Sequence, residues 1–193
     1  MNKKRIALAL VVFGCAINCR AQNSATGLTQ RIKEHNALVA FWDFADSKGV
    51  TVAGHAQKIK LNPFNGVNMA NEGPISGKSI ELNGETDYWS IDHENSGVLD
   101  IKTNAVTIIA WVKWEGGTGF VAGKWNEYDE GGKRQYGLFV SLPYYNGDHQ
   151  VCGHISRNGG PTAPFPYSID YSASGQKVPV NQKACVSVSY QWQ

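Results

Sequence analysis

The chain lacks an apolar run long enough to cross a bilayer, because its N-terminal run from Ile6 to Ile17 is well short of the roughly 20 residues a spanning helix needs. Cysteine is scarce, with four residues in 193, so a dense disulfide framework is excluded. There is no helical period longer than one or two turns, which excludes a helix bundle. No Gly-x-Ser-x-Gly elbow and no His-Glu-x-x-His string occurs, and the five histidines are scattered, so neither a hydrolase elbow nor a zinc helix is encoded locally. What is present is 42% hydrophobic residues, 18% charged residues and 21 glycines. That suits one globular domain and leaves little room for two.

Residues 1–21 read as an export signal. Lys3, Lys4 and Arg5 precede the apolar run, and Cys19-Arg20-Ala21 puts small residues at both recognition positions of a signal peptidase, with cleavage after Ala21. An uncleaved anchor is one alternative. A lipoprotein is another, because Val12-Phe13-Gly14-Cys15 resembles a lipobox in which Cys15 is acylated, although the bulky Phe13 departs from that pattern. The cleaved chain is expected to be secreted, periplasmic or on the cell surface, with no membrane insertion. Losing the four leader cations Lys3, Lys4, Arg5 and Arg20 from a formal charge of +2 leaves −2. No basic face then argues for a nucleic-acid partner. Cys152 and Cys185 remain, and either a bridge or two separate thiols is compatible with their number.

Residues 22–36 form a polar lead-in with a short helix expected over Leu28 to His35, and residues 37–193 form the domain. Strands are expected at Ala37 to Phe44, Ser79 to Asn83, Tyr88 to Ile91, Ala105 to Trp114, Gly119 to Trp125, Gln135 to Leu142, Gln150 to Arg157, Tyr167 to Tyr171 and Ala184 to Tyr190. Asn83-Gly84, Gly116-Gly117, Gly131-Gly132, Asn146-Gly147 and Gly159-Gly160 punctuate these runs where tight turns need positive φ. Many short strands separated by turns specify an all-β sandwich or barrel. In the longest, Val106, Ile108, Ala110, Val112 and Trp114 share one face, while Thr107, Ile109, Trp111 and Lys113 share the other. Both faces are largely apolar, which predicts a central strand covered on both sides. The last expected strand, Ala184 to Tyr190, is followed by no turn before the sequence stops at Gln193, so the domain is expected to be incomplete at its C-terminus, with an exposed edge, a natural C-terminal strand being the alternative.

Three stretches in order, LVAFWDF, GPISGKSIELNGETDYWSI and AVTIIAWVKWEGGTGFVAGKW followed by QYGLFVSL, resemble the laminin G-like jelly-roll domains of secreted bacterial proteins in the concanavalin A-like lectin/glucanase superfamily. The resemblance spans about residues 37–190 and implies a jelly-roll β-sandwich of two antiparallel sheets. It also implies that calcium is a candidate cofactor, held by loop oxygens. Asn83, Asp87 and Asp129 are the candidate ligands, set against the ordinary use of Asn and Asp in turns.

The fold hosts lectins, adhesion modules, hydrolases and lyases, so chemistry has to come from particular residues. Laminarinase-type enzymes on it carry Glu-x-Asp-x-Glu or Glu-x-Asp-x-x-Glu, and Asn126-Glu127-Tyr128-Asp129-Glu130 superficially matches. A strand would turn Glu130 away from Glu127 and Asp129, and the string runs straight into Gly131-Gly132, so no catalytic residue is assigned. Cys152 and His154 share a strand side by parity and read as a structural pair. Sugar recognition needs aromatic faces beside polar groups, and two loops supply both. Trp125, Tyr128, Tyr144 and Tyr145 are the expected contacts, with Arg134 for hydroxyls or carboxylates and Arg157 as a second candidate. Tyr144 and Tyr145 follow Pro143 at a hairpin tip, where at least one ring is expected to be exposed. Trp42, Trp89 and Trp111 are expected in the core. The expected function is a secreted, non-catalytic, lectin-like module that binds a glycan or glycoprotein. A glycoside hydrolase or polysaccharide lyase, or a cell-envelope adhesion module, are the alternatives.

Overall fold

The computed structural model describes residues 9–12, 25–45, 59–126, 133–156, 158–160 and 171–191. Half of the described residues are in strands, and every paired strand is antiparallel, which makes the chain all-β. In chain order the elements are β1 (Ala9–Val12), α1 (Ala25–Lys33), β2 (Phe41–Trp42), β3 (Asn62–Phe64), β4 (Asn68–Ala70), β5 (Ser79–Glu81), β6 (Tyr88–Ser90), β7 (Ala105–Lys113), β8 (Gly119–Asn126), β9 (Lys133–Leu142), β10 (Gly147–Ile155), β11 (Tyr171–Lys177) and β12 (Lys183–Gln191). One four-stranded sheet has the order β12-β7-β1-β2 and the other β11-β10-β9-β8. Two further pairs, β3 with β6 and β4 with β5, lie outside these sheets.

Strand β7 shows how the sequence builds the core. Its residues alternate strictly between buried and half-buried, with Val106, Ile108, Ala110 and Val112 on the buried face and Trp114 continuing that face. The apolar inner face meets Leu138 and Val140 of β9, Ile155 of β10 and Val186 of β12 in one hydrophobic cluster. Gly153 fixes how closely the two sheets approach. A Cβ there would collide with the Val188 side chain of β12, so only glycine permits this contact. The cavity between the sheets near this point, lined by Val106, Gly153 and Tyr190 among others, holds about 20 Å³, room for roughly one water and no ligand.

Long loops are tied to the second sheet by polar contacts. The Tyr136 hydroxyl donates to the Leu99 carbonyl at 2.8 Å, and burial raises its pKa, so it stays a donor. Lys124 pairs with Asp100 and holds that carboxyl below its usual range. The contact is present above that range and is lost as pH falls through the lowered value.

Several sequence expectations change. The first strand pairs only at Phe41–Trp42, because Leu38 N–H donates to the His35 carbonyl in a turn after α1 and Phe44 takes a positive φ of 55°. The helix begins at Ala25 and ends at Lys33, three positions earlier at the start and two at the end than expected. Strand β11 begins at Tyr171 instead of ending there, and positions 167–170 lie outside the described residues. Strand β7 is interior in its sheet, but the face carrying Thr107, Ile109, Trp111 and Lys113 is only half covered. Ala9–Val12, inside the stretch read as a leader, pairs between β7 and β2, whereas Cys15, Cys19 and the cleavage position lie outside the described residues.

The bridge between Cys152 and Cys185 is absent, and parity explains why. Cys185 is exposed and alternates with inward Val186, so it points away from the interior. Cys152 alternates with inward-facing Gly153, so it points outward from the opposite sheet. The two side chains therefore leave their sheets in opposite directions, and a disulfide needs Cβ vectors that converge.

Candidate functional site

The outward face of the sheet formed by β8, β9, β10 and β11 carries an unusual density of rings. Register decides which they are. Phe120 pairs with Phe139, Phe139 with Cys152, Gly137 with His154, and His154 with Tyr171, so all of these share the face opposite to Leu138 and Gly153. Ring centroids are 5.2 Å apart for Phe120 and Phe139, 5.8 Å for Phe139 and Trp125, and 4.7 Å for Trp125 and His154. His154 lies 5.9 Å from Tyr171 and 6.2 Å from Tyr145.

Local features place each ring. A register shift between Lys124 and Trp125 makes Arg134 the cross-strand partner of Trp125, and the guanidinium carbon lies 5.5 Å from the indole centroid, a cation–π contact. Gly137 leaves room for the Phe139 ring, since a Cβ there would lie 2.6 Å from its Cε2. Gly147 similarly leaves room for the Cys152 thiol and the Tyr171 hydroxyl. That hydroxyl donates to Cys152 Sγ at 3.3 Å. Burial, reinforced by this hydrogen bond, raises the Tyr171 pKa, so the phenol remains protonated.

The connection between β9 and β10 is a 3-10 turn over Pro143–Tyr145 that ends on Asn146 in the left-handed region, φ 58°. Asparagine tolerates that conformation. The turn throws Tyr144 outward at 64% exposure and folds Tyr145 back onto Tyr171 at 5.3 Å. Phe120, at the other side of the sheet, is 46% exposed. The indole Nε1 of Trp125 is buried without a hydrogen-bond partner among the described residues.

Of the residues predicted from sequence, the fold therefore brings Trp125, Arg134, Tyr144 and Tyr145 onto one surface, although Trp125 and Tyr144 are 19 positions apart in the chain. Tyr128, Asp129 and Arg157 lie outside the described residues. Phe120, Phe139 and Tyr171 are not singled out by the sequence, and His154 is read there only as a structural partner of Cys152. The parity of Phe139 against the apolar Leu138 and Val140, with glycine two positions before it, was the available signal. The Cys152 and His154 pairing by parity is present, with Cys152 held by Tyr171.

Asn83 and Asp87 are placed elsewhere, in the loop between β5 and β6, where they build a turn. Asn83 Oδ1 accepts from the backbone N–H groups of Glu85, Thr86 and Asp87 at 2.9, 2.9 and 3.0 Å. The Asp87 carboxylate accepts from Asn83 N and Nδ2 at 3.2 and 3.0 Å. These hydrogen bonds make Asn83 and Asp87 an Asx-type turn, and Asp129, the third candidate ligand, lies outside the described residues. Among the described residues, no group of three His, Cys, Asp or Glu side chains is placed to hold a metal. Asn83→Ala is expected to cost about 1–3 kcal/mol through the orphaned N–H groups, in chemical denaturation with calcium or with EDTA alike. A calcium-dependent rise in melting temperature that the variant loses would show instead that the loop binds the ion.

The arrangement can stack and enclose a flat, partly apolar ligand and offer it a guanidinium and phenol hydroxyls. Comparison with protein-family models, with curated proteins and with solved structures finds no match, so what this surface does has to be read from its own geometry.

Proposed function

We propose that the chain is an exported, non-catalytic carbohydrate-binding module, a lectin-like domain on a jelly-roll sandwich of the concanavalin A-like, laminin G-like kind. One observation carries this: the convergence of Trp125, His154, Tyr145 and Tyr171 on the outward face of a sheet, with an exposed tyrosine beside them. Outward faces of antiparallel sheets normally alternate to polar residues, and an aromatic outward face with polar tips suits a sugar, which presents C–H surface and hydroxyls together. The guanidinium over Trp125 supplies a polar group at the same place.

The test is a glycan array followed by pull-down on insoluble polysaccharides, with and without EDTA, for the native chain and for Tyr144→Ala. Because Tyr144 is exposed, its removal should leave the denaturation midpoint within about 0.5 kcal/mol while weakening binding by about tenfold. No binding to any glycan would overturn the proposal and shift weight to an adhesion role for the same face.

A further inference from the structure

We infer that the ligand is the interior of a single linear polysaccharide chain lying across the strands, not a terminal sugar and not a crystalline polysaccharide surface. This deepens the carbohydrate-binding proposal and rests on it. The rings are not gathered around one point. They are spread across the sheet: Phe120 and Trp125 on β8, His154 on β10 and Tyr171 on β11, with Phe139 of β9 packed between Phe120 and Trp125 and largely covered. Strands in a sheet are spaced about 4.8 Å apart, so a row over four of them is about 14 Å wide. A sugar ring matches one aromatic ring in size, so a monosaccharide would leave most of this width uncovered, whereas successive units of a chain would span it.

The tilts of the rings decide between a chain and a crystal face. A crystalline surface needs coplanar rings. Here Phe120 and Phe139 are inclined at 59°, Phe139 and Trp125 at 85°, Trp125 and His154 at 42°, and His154 and Tyr171 at 84°. Rings inclined to one another offer no flat platform, which one flexible chain can accommodate and a rigid sheet of chains cannot. Of the rings on this surface, Phe120 on the edge strand β8 and Tyr144 in the turn between β9 and β10 are the most exposed.

Calorimetric titration of the full chain with mono- to hexasaccharide ladders tests this, using β-1,4- and β-1,3-linked gluco-oligosaccharides, manno-oligosaccharides, xylo-oligosaccharides and uronate oligosaccharides, with crystalline cellulose and chitin as surface probes. In the ladder that binds, affinity is expected to rise about three- to tenfold per added sugar until the row is filled, then level off. Phe120→Ala should lower affinity for the hexasaccharide by about tenfold and leave the shortest bound oligosaccharide unchanged. A monosaccharide bound as tightly as the hexasaccharide would overturn the chain inference while leaving a sugar site standing. Binding to the crystalline surfaces without binding any soluble ladder would overturn it too. Absence of all binding would overturn the carbohydrate proposal itself.

Discussion

Trp125→Ala is expected to weaken glycan binding about 30-fold or more, the equivalent of a hot-spot loss near 2 kcal/mol. The indole is the hinge of the aromatic row. It lies within 5.8 Å of Phe139 and 4.7 Å of His154 by ring centroid, and it carries the Arg134 guanidinium at 5.5 Å. Alanine would remove the stacking face, leave Arg134 without its aromatic neighbour and vacate the middle of the row. Trp125→Phe retains a smaller stacking face, so its affinity should fall between the native chain and Trp125→Ala. Full affinity in Trp125→Ala would show that the ligand does not stack on this ring. Denaturation midpoints measured alongside separate a lost contact from a lost fold, since Trp125 is half-buried and will cost some stability on truncation.

Trp114→Ala is expected to destabilise the chain by about 3–5 kcal/mol. Trp114 is 2% exposed and continues the buried face of β7. Its Nε1 donates to the Gly117 carbonyl at 2.9 Å, and its ring meets His149 edge-on at 5.0 Å. The variant therefore opens a cavity and also releases the Gly116-Gly117 turn, where both glycines have positive φ. In urea the midpoint should fall with little change in slope. Under conditions where the variant stays folded, its glycan affinity should match the native chain, because Trp114 faces the core and not the aromatic row. A large affinity loss in folded Trp114→Ala would place the binding surface at the β7 to β8 turn instead.

Much of the architecture is legible in the sequence. The alternation in Ala105–Lys113 gave its buried face residue by residue, and the glycine pairs marked its turns, because period-2 burial and positive φ are local properties written in consecutive residues. The short pairs were not legible. Asn62–Phe64 carries Pro63 and Asn68–Ala70 is three residues long, so neither shows alternation, and each exists only because a partner strand lies beside it. The half-covered outer face of β7 escaped for a related reason. An apolar side chain such as Ile109 or Trp111 records a preference for burial, not whether another layer is present to bury it.

The candidate site divides in the same way. Trp125, Tyr144 and Tyr145 stood out because aromatic residues beside turn residues are visible in sequence. Phe139 and Tyr171 did not, because their outward direction depends on register with β8 and β10, and register is set by pairing across the sheet.

The sequence by itself determined the all-β class, the faces of the longest strand, the turn positions and the aromatic stock available for recognition, since each follows from local periodicity and backbone preference. Only the tertiary structure decided that Cys152 and Cys185 point away from each other on opposite sheets, that Asn83 and Asp87 spend their oxygens on a turn, and that Phe120, Trp125, Phe139, His154 and Tyr171 share one surface. The physical reason is that a strand fixes which residues alternate, while cross-strand hydrogen bonding fixes which of the two faces meets the core and which rings become neighbours.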